Sequence, residues 1–377
     1  MGELDIRNRH FDRLFSNPSL IWMGQNTNHI PMHPKVREAL HAAIDDESFH
    51  AYAPPAGIEA LREGIVADLG LEGFSALISD GAVAALGTAC RALCRPGRRF
   101  VTTDPSWKWP LLFARQAGME VTEIPIYGAE HGWRLSPARL AEAVDAKTDI
   151  IYFVDPNNPL GTCATAEEIE GIAAVARGCG ATLIHDSTYR DFADRHTLAA
   201  RFYPEGTVTA VSFSKWLGLA GLRLGALVAR PELLEKIGAS SMAPLGANVI
   251  SQRAALAGLS VKREWMATVQ EIQRANQATV KRAVDKVSGM SVAVYPSQAN
   301  FLVLECEGTG LKPEAIVAAF AEHGIQVRQG AYHTARFGHR FIKVSTTVPR
   351  EWADAFAAVL PEAVEYARGM KELPPLF

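Results

Sequence analysis

Between residues 77 and 230, short apolar runs alternate with amphipathic segments, and that alternation restricts the chain to few architectures. The runs Ala76 to Ser79, Phe100 to Thr103, Glu120 to Ile126, Ile150 to Val154, Thr182 to His185, Val208 to Ser212 and Ala226 to Ala229 have the length of strands. Continuous runs such as IIYFV suit strands covered on both faces. The intervening segments read as helices: Thr165 and Glu168 form a capping-box pattern ahead of Ile169, Ile172, Ala173 and Ala176 at helical spacing. The pattern implies an α/β fold with a mostly parallel, doubly wound sheet. Residues 261–289 read as one long connecting helix ending at Gly289. Beyond it come VAVYP, ANFLVLE, a helix from Pro313 to His323, GIQVRQG, FIKVSTT and a final helix from Glu351, the pattern of a smaller α+β domain. The expected division is a small domain over 1–45 and 286–377, including an N-terminal arm, and a large one over 46–285.

A chain of 377 residues has room for two such domains and a deep site between their elements. Its net charge of −3, with no dense run of Lys or Arg, argues against a nucleic-acid partner. The first residues, MGELDIRNRHFDRLF, contain no apolar core of a secretory signal, and no stretch reaches the roughly 18 apolar residues of a membrane span. A cytoplasmic protein with no membrane association is expected. The five cysteines include no C-x-x-C pair, and Cys90 and Cys94 read as small residues on one buried helix face. His29 and His33 are four apart, but Pro31 and Pro34 oppose a helix that would aim both at one ion, so no metal site is expected.

In doubly wound sheets, ligands bind at the carboxyl ends of the strands. Polar clusters stand at four such ends: Asp104-Pro105-Ser106-Trp107, Asp155-Pro156-Asn157-Asn158-Pro159, Asp186-Ser187-Thr188-Tyr189 and Ser212-Phe213-Ser214-Lys215. A cleft shared by these ends holds a lysine, carboxylates, an amide, a phenol, hydroxyls and an indole. That set fits pyridoxal 5′-phosphate, which needs an amine for its aldehyde and a carboxylate to keep its pyridine nitrogen protonated. It also needs donors for its ring oxygen, a flat wall, and hydroxyl, backbone and cationic groups for its phosphate.

The string SFSKWLGLAGLRLG, Ser212 to Gly225, with Lys215 placed 29 residues after Asp186, resembles the fold type I, class I/II aminotransferases. Within them the chain is most similar to the histidinol-phosphate and aromatic aminotransferase branch, over about Gly24 to Ser345. The resemblance implies the aspartate aminotransferase-like fold and pyridoxal phosphate held as a Schiff base on Lys215. It makes Ser212 and Arg223 phosphate ligands, with Gly81, Ala82 and Val83 offering N–H groups at a helix start. It pairs Asp186 with the pyridine nitrogen, sets Tyr189 and Asn158 on the ring oxygen, and stacks Trp107 on the ring. Tyr52, in AYAPPAGIEALR, matches a tyrosine that reaches the partner subunit's phosphate, which implies a homodimer with shared sites. GQNTNHIPMHP resembles an arm laid over the substrate, so Asn26, Asn28 or His29 is expected to contact substrate, with Asn28 and His29 as the leading choices.

One position departs from the family. Where members carry an arginine that clamps the substrate carboxylate, this chain has Lys343 in FIKVS, which keeps the charge and loses the planar fork. The implied activity is transfer of an amino group between an amino acid or amine and a keto acid, with Lys215 moving the proton. The alternative motivated by Lys343 is a lyase, decarboxylase, cyclase or oxidase on the same fold. Specificity is expected in the arm from Trp22 to His33, the segment from Ser240 to Gly246 and the loop from Gln329 to Gly338, with Trp22, Trp107, Trp109 and Tyr332 as aromatic walls.

Overall fold

The structure is a computed structural model that describes residues 2–242, 244–370 and 372–373, with Glu3 by its backbone alone. The chain opens with α1 (Glu3–Ser16), β1 (Ile21–Trp22), α2 (Pro34–Asp45) and α3 (Glu59–Leu69). It continues through β2 (Ser75–Ser79), α4 (Ala82–Leu93), β3 (Arg99–Asp104), α5 (Lys108–Gln116), β4 (Glu120–Pro125), α6 (Pro137–Ala143), β5 (Thr148–Val154), α7 (Ala166–Cys179), β6 (Thr182–Asp186), β7 (Thr207–Ser212) and β8 (Gly225–Ala229). After these come α8 (Pro231–Gly238), α9 (Val249–Ser260), α10 (Lys262–Val284), β9 (Ser291–Val292), β10 (Phe301–Glu305), α11 (Pro313–Glu322), β11 (Ile325–Gln326), β12 (Arg328–Gln329), β13 (Phe341–Ser345) and α12 (Arg350–Gly369).

Seven strands form the main sheet in the order β2-β8-β7-β6-β5-β3-β4, parallel except for β8, which runs against both neighbours. All seven expected strands are present. β5 is buried along its whole length, as its unbroken apolar sequence requires. One face carries Ile150, Tyr152, Val154 and Ile184 against the small residues of α4. The other carries Ile151, Phe153 and Leu183 against α7, whose Thr165–Glu168 capping box is formed at both bonds.

A four-stranded antiparallel sheet, β12-β13-β10-β9, lies under α11 and α12 around a second core that includes Ile316, Phe320, Ile342 and Phe356. The N-terminal segment joins it where β1 pairs with β11. α2 instead packs on α9, and Val36 belongs to the core around α3 and α9. The expected helix over 261–289 stops earlier, at Val284, and the chain turns through Asp285 to Gly289, whose backbone lies against Gly308. The single strand read in GIQVRQG is two. A break at Val327 hands the chain from the β1 pairing to the β13 pairing, which sets Arg328 opposite Lys343.

Candidate active site

The carboxyl ends of β5, β6 and β7, the start of α4 and the edge of the small sheet enclose a cavity of about 420 Å³. Ala82, Val83, Trp107, Asn158, Asp186, Tyr189, Ser212, Lys215, Arg223 and Lys343 all line it. Residues far apart in sequence meet because each follows a strand of one sheet, or, for Lys343, lies on a strand of the other.

Lys215 sits in the turn after β7, and its Nζ donates to the Gln25 carbonyl at 3.3 Å. Burial and the neighbouring Arg223 pull this amine down to about 8, against the opposing pull of Asp186. An amine in that range is a usable base and nucleophile near neutrality. Asp186 is buried at the end of β6, where Thr188 N–H donates to Oδ1 at 3.1 Å and Tyr152 O–H donates to Oδ2 at 2.8 Å. Burial pushes its carboxyl up, and these donors together with Lys215 oppose the rise. The Tyr189 hydroxyl accepts from Asn26 Nδ2 at 2.9 Å, and Asn158 Oδ1 is buried without a hydrogen-bond partner.

At the other end, α4 begins at Ala82 with no acidic residue in its first turn, so its free N–H groups and dipole favour an anion. Gly81 has φ +91°, and a Cβ there would lie 2.4 Å from Arg223 Nη2. A Cβ on Gly225 would lie 2.4 Å from the Ala82 nitrogen. The close approach of guanidinium, helix start and strand therefore demands glycine at both positions. Ser212 and Ser214 border the same end.

The substrate-side wall joins the expected Lys343, Trp109 and Tyr332 to three residues that sequence reading missed, Arg328, Arg7 and Phe11. Arg328 and Lys343 are both buried and both line the cavity, as do Arg7 and Phe11 from α1 and Trp109 and Tyr332. The Arg328 guanidinium lies 4.5 Å from the centre of the Tyr332 ring, with Lys108 Nζ 3.9 Å from the same centre. Burial, Arg328 and Lys215 push the Lys343 amine well below the usual lysine range. The lining carries five basic side chains, Arg7, Lys215, Arg223, Arg328 and Lys343, against the single carboxylate of Asp186. Such a cavity is built for more than one anionic group.

Four expected site residues, Gly81, Asn28, His29 and Tyr52, are not among those lining this cavity, although Gly81 lies directly behind Arg223. Asn28 spends its side chain on backbone, donating to the Trp216 carbonyl at 3.2 Å and accepting from Ile30 N–H at 3.0 Å. His29 bonds Thr27 and packs between Trp22 and Trp352, so Trp22 is also turned away. Asn26, at φ 55°, bends the arm, and Gly24 to Thr27 are the arm residues that reach the cavity. Tyr52 is 81% exposed on the outer surface. In the segment from Ser240 to Gly246, Ala243 lies outside the described residues.

His185 points to the opposite face of β6, as alternation predicts, where it joins the buried Asp155 and the partly exposed His196 in one group. His185 Nδ1 accepts from Ala199 N–H at 3.2 Å, which leaves the ring proton on Nε2. His196 Nε2 faces the Asp155 carbonyl at 3.1 Å, which can only accept. Ala164 N–H and the Cys163 thiol also point at the Asp155 carboxylate, at 2.8 and 3.6 Å. The group is a carboxylate ringed by donors, and the lone pairs a metal would need are not turned towards one point.

The family model for aminotransferase class I and II matches residues 18–360. The chain belongs to the class I and II aminotransferases. Histidinol-phosphate aminotransferase 2 of Carboxydothermus hydrogenoformans is 31% identical over 87% of this aminotransferase and 84% of its own length. Histidinol-phosphate aminotransferase of Methanosarcina mazei is 29% identical, over 88% and 85%. Aspartate aminotransferase of Thermus thermophilus with maleate superposes with a TM-score of 0.82 at 22% identity, covering 97% of this chain and 96% of that one. The fold is therefore the aspartate aminotransferase-like one, and the reaction is transfer of an amino group with pyridoxal phosphate as cofactor. The donor set at both ends of the cavity fits that group: an anion cradle built around two glycines, an amine near neutrality, a buried carboxylate and an unpaired amide oxygen. Among the described residues, no helix is long and apolar enough to cross a membrane.

Proposed function

We propose that Lys215 carries the cofactor, that Asp186 faces its ring nitrogen, and that the substrates of this aminotransferase bear an anionic group gripped by Lys343 together with Arg328. The observation that carries this reading is an amine held at about 8 in a buried, strongly cationic cavity that contains one carboxylate. When bound, pyridoxal phosphate supplies an aldehyde for the amine and a ring that accepts electrons. With the cofactor bound, Lys215 Nζ would take the proton leaving the substrate's α-carbon and return it to the cofactor's former aldehyde carbon, across the intervening nitrogen. Asp186 holds negative charge against the ring nitrogen. Tyr189 and Asn158 face the ring oxygen, and Trp107 forms the flat wall. The N–H groups of Ala82 and Val83, the Ser212 hydroxyl and the Arg223 guanidinium hold the phosphate, with Gly81 keeping the approach open.

Arg328 supplies the planar fork that Lys343 lacks, so the departure from arginine at 343 is compensated from the neighbouring strand. That removes the motive for a different reaction type. The aromatic and cationic wall of Trp107, Trp109, Tyr332 and Arg7 favours an amino substrate with a flat body and a second anionic group. The names of the two histidinol-phosphate aminotransferases above are in keeping with that class.

Tyr52 serves the partner subunit in a homodimer. Supporting this, Tyr52 is exposed, as are Ile44, Phe49, Met242 and Leu245, and the chain at Ala53 and Pro54 lies against Gly246. Arg223 also borders a second opening lined by Met242, Gly246 and Ala247, a route from that surface to the phosphate cradle. Residues 46–285 form the large domain and 1–45 with 286–377 the small one, supported by the β1–β11 pairing, with α2 bridging to α9. Five unpaired cysteines support a reducing, cytoplasmic setting.

Borohydride reduction of the holoenzyme followed by peptide mapping tests the central claim. The cofactor mass is expected on Lys215; its appearance on another lysine would overturn the assignment. Conversion of the bound cofactor to its amine form by a donor, without any keto acid present, is the matching test of the half-reaction.

A further inference from the structure

Tyr152 has no role in the motifs above, yet its phenol reaches Asp186, a residue lining the cavity. It lies in β5 opposite Ile184 of β6, on the face shared with Val154, which lines the cavity. Asp186 is two residues further along β6 and so projects from the same face. The tyrosine ring spans this diagonal and its O–H donates to Asp186 Oδ2 at 2.8 Å, while Thr188 N–H occupies Oδ1. Tyr152 is 1% exposed and packs on Phe100 at a ring separation of 6.1 Å. Its phenol is thus shielded from bulk solvent and directed at the carboxylate.

We propose that Tyr152 is a positioning residue that fixes the Asp186 carboxylate in place and holds it in the ionised form against the cofactor's ring nitrogen. This rests on the assignment of Asp186 to that nitrogen. The physical case is a balance of proton affinities. Burial makes the carboxylate more basic, and a carboxylate that becomes too basic takes the shared proton from the ring and leaves it neutral. A donor on the charged oxygen opposes this. The phenol can only donate, because burial and Asp186 drive its own ionisation far above the usual range. The other titratable groups around the pair are Lys215 and Tyr189 on the cavity side and Cys90 from α4. None of them is shown donating to Oδ2.

Tyr152→Phe removes the donor and keeps the ring against Phe100. Loss of ring protonation removes a positive charge conjugated to the lysine–cofactor nitrogen. The pH at which the visible band of the bound cofactor titrates is then expected to rise by about one unit, with kcat falling about tenfold. KM should change little, because no substrate contact is lost. The same substitution in an Asp186→Asn background should leave the band where Asp186→Asn alone puts it, since no carboxylate remains to be held. An unmoved band in Tyr152→Phe, or an equal shift in both backgrounds, would overturn the proposal. If Asp186→Asn alone left the spectrum and kcat unchanged, the failure would lie in the assignment of Asp186 itself.

Discussion

Arg328 and Lys343 are cross-strand partners on β12 and β13, both buried and both facing the cavity. Placing two cations side by side out of water is costly unless an anion joins them. Arg328→Gln and Lys343→Gln are each expected to lower kcat/KM for an anionic donor by about 10- to 100-fold, mainly through KM. The double variant should lose less than the product of the two, because both side chains grip one substrate group. Steady-state kinetics with the cofactor spectrum as a control checks both statements.

The depressed Lys215 amine has a stability consequence in the cofactor-free protein. With the folded value at about 8 and the unfolded one at 10.5, the unfolded chain binds more protons between those limits, so this residue's contribution to stability rises with pH across that window. Below pH 8 the buried charge is a burden of up to about 3 kcal/mol. Lys215→Met is therefore expected to stabilise the cofactor-free protein at pH 7, with the difference shrinking towards pH 10. Urea denaturation at several pH values measures it.

Gly81→Ala places a methyl against Arg223 at a φ that side chains rarely adopt. Cofactor affinity should drop by about tenfold or more through displacement of the guanidinium, with a stability loss of roughly 1–2 kcal/mol. Titration of the cofactor-free variant with pyridoxal phosphate and a thermal melt separate the two effects.

In the proposed homodimer, Tyr52→Ala and Lys215→Ala should each impair a different part of one composite site. Mixed after unfolding and refolding together, they form hybrids in which one site draws its lysine and its tyrosine from intact copies. Activity of the mixture should exceed that of either parent, and activity no higher than the parents' average would refute sharing across the dimer.

The cavity lining was legible because polar residues follow each apolar run, and Lys215, Asp186, Asn158 and Ser212 all line the cavity at strand ends. Arg328 was not, because its partner is set by a register that only long-range pairing defines. Parity along GIQVRQG could not reveal it, since the break at Val327 interrupts the alternation. Tyr152 hid inside an apolar run, although its parity with Val154 was available. Asn28 and His29 were misplaced because the left-handed turn at Asn26 redirects everything after it, and a lone asparagine is a weak signal for such a turn.

Asn26 is anchored from three sides: its N–H donates to Ser345 Oγ, its carbonyl accepts from Asn300 Nδ2, and its side chain donates to Tyr189. Surface loops ordinarily tolerate insertions. This one is pinned at Met23 by β11 on one side and at His29 by the Thr347 carbonyl on the other. One added or lost residue would carry Asn26 away from Tyr189 and turn a different side chain into the cavity. The arm can thus diversify by substitution while its length stays locked, so new specificities in this lineage must come from exchanged side chains at Gln25 and Thr27, or from remodelling elsewhere on the rim.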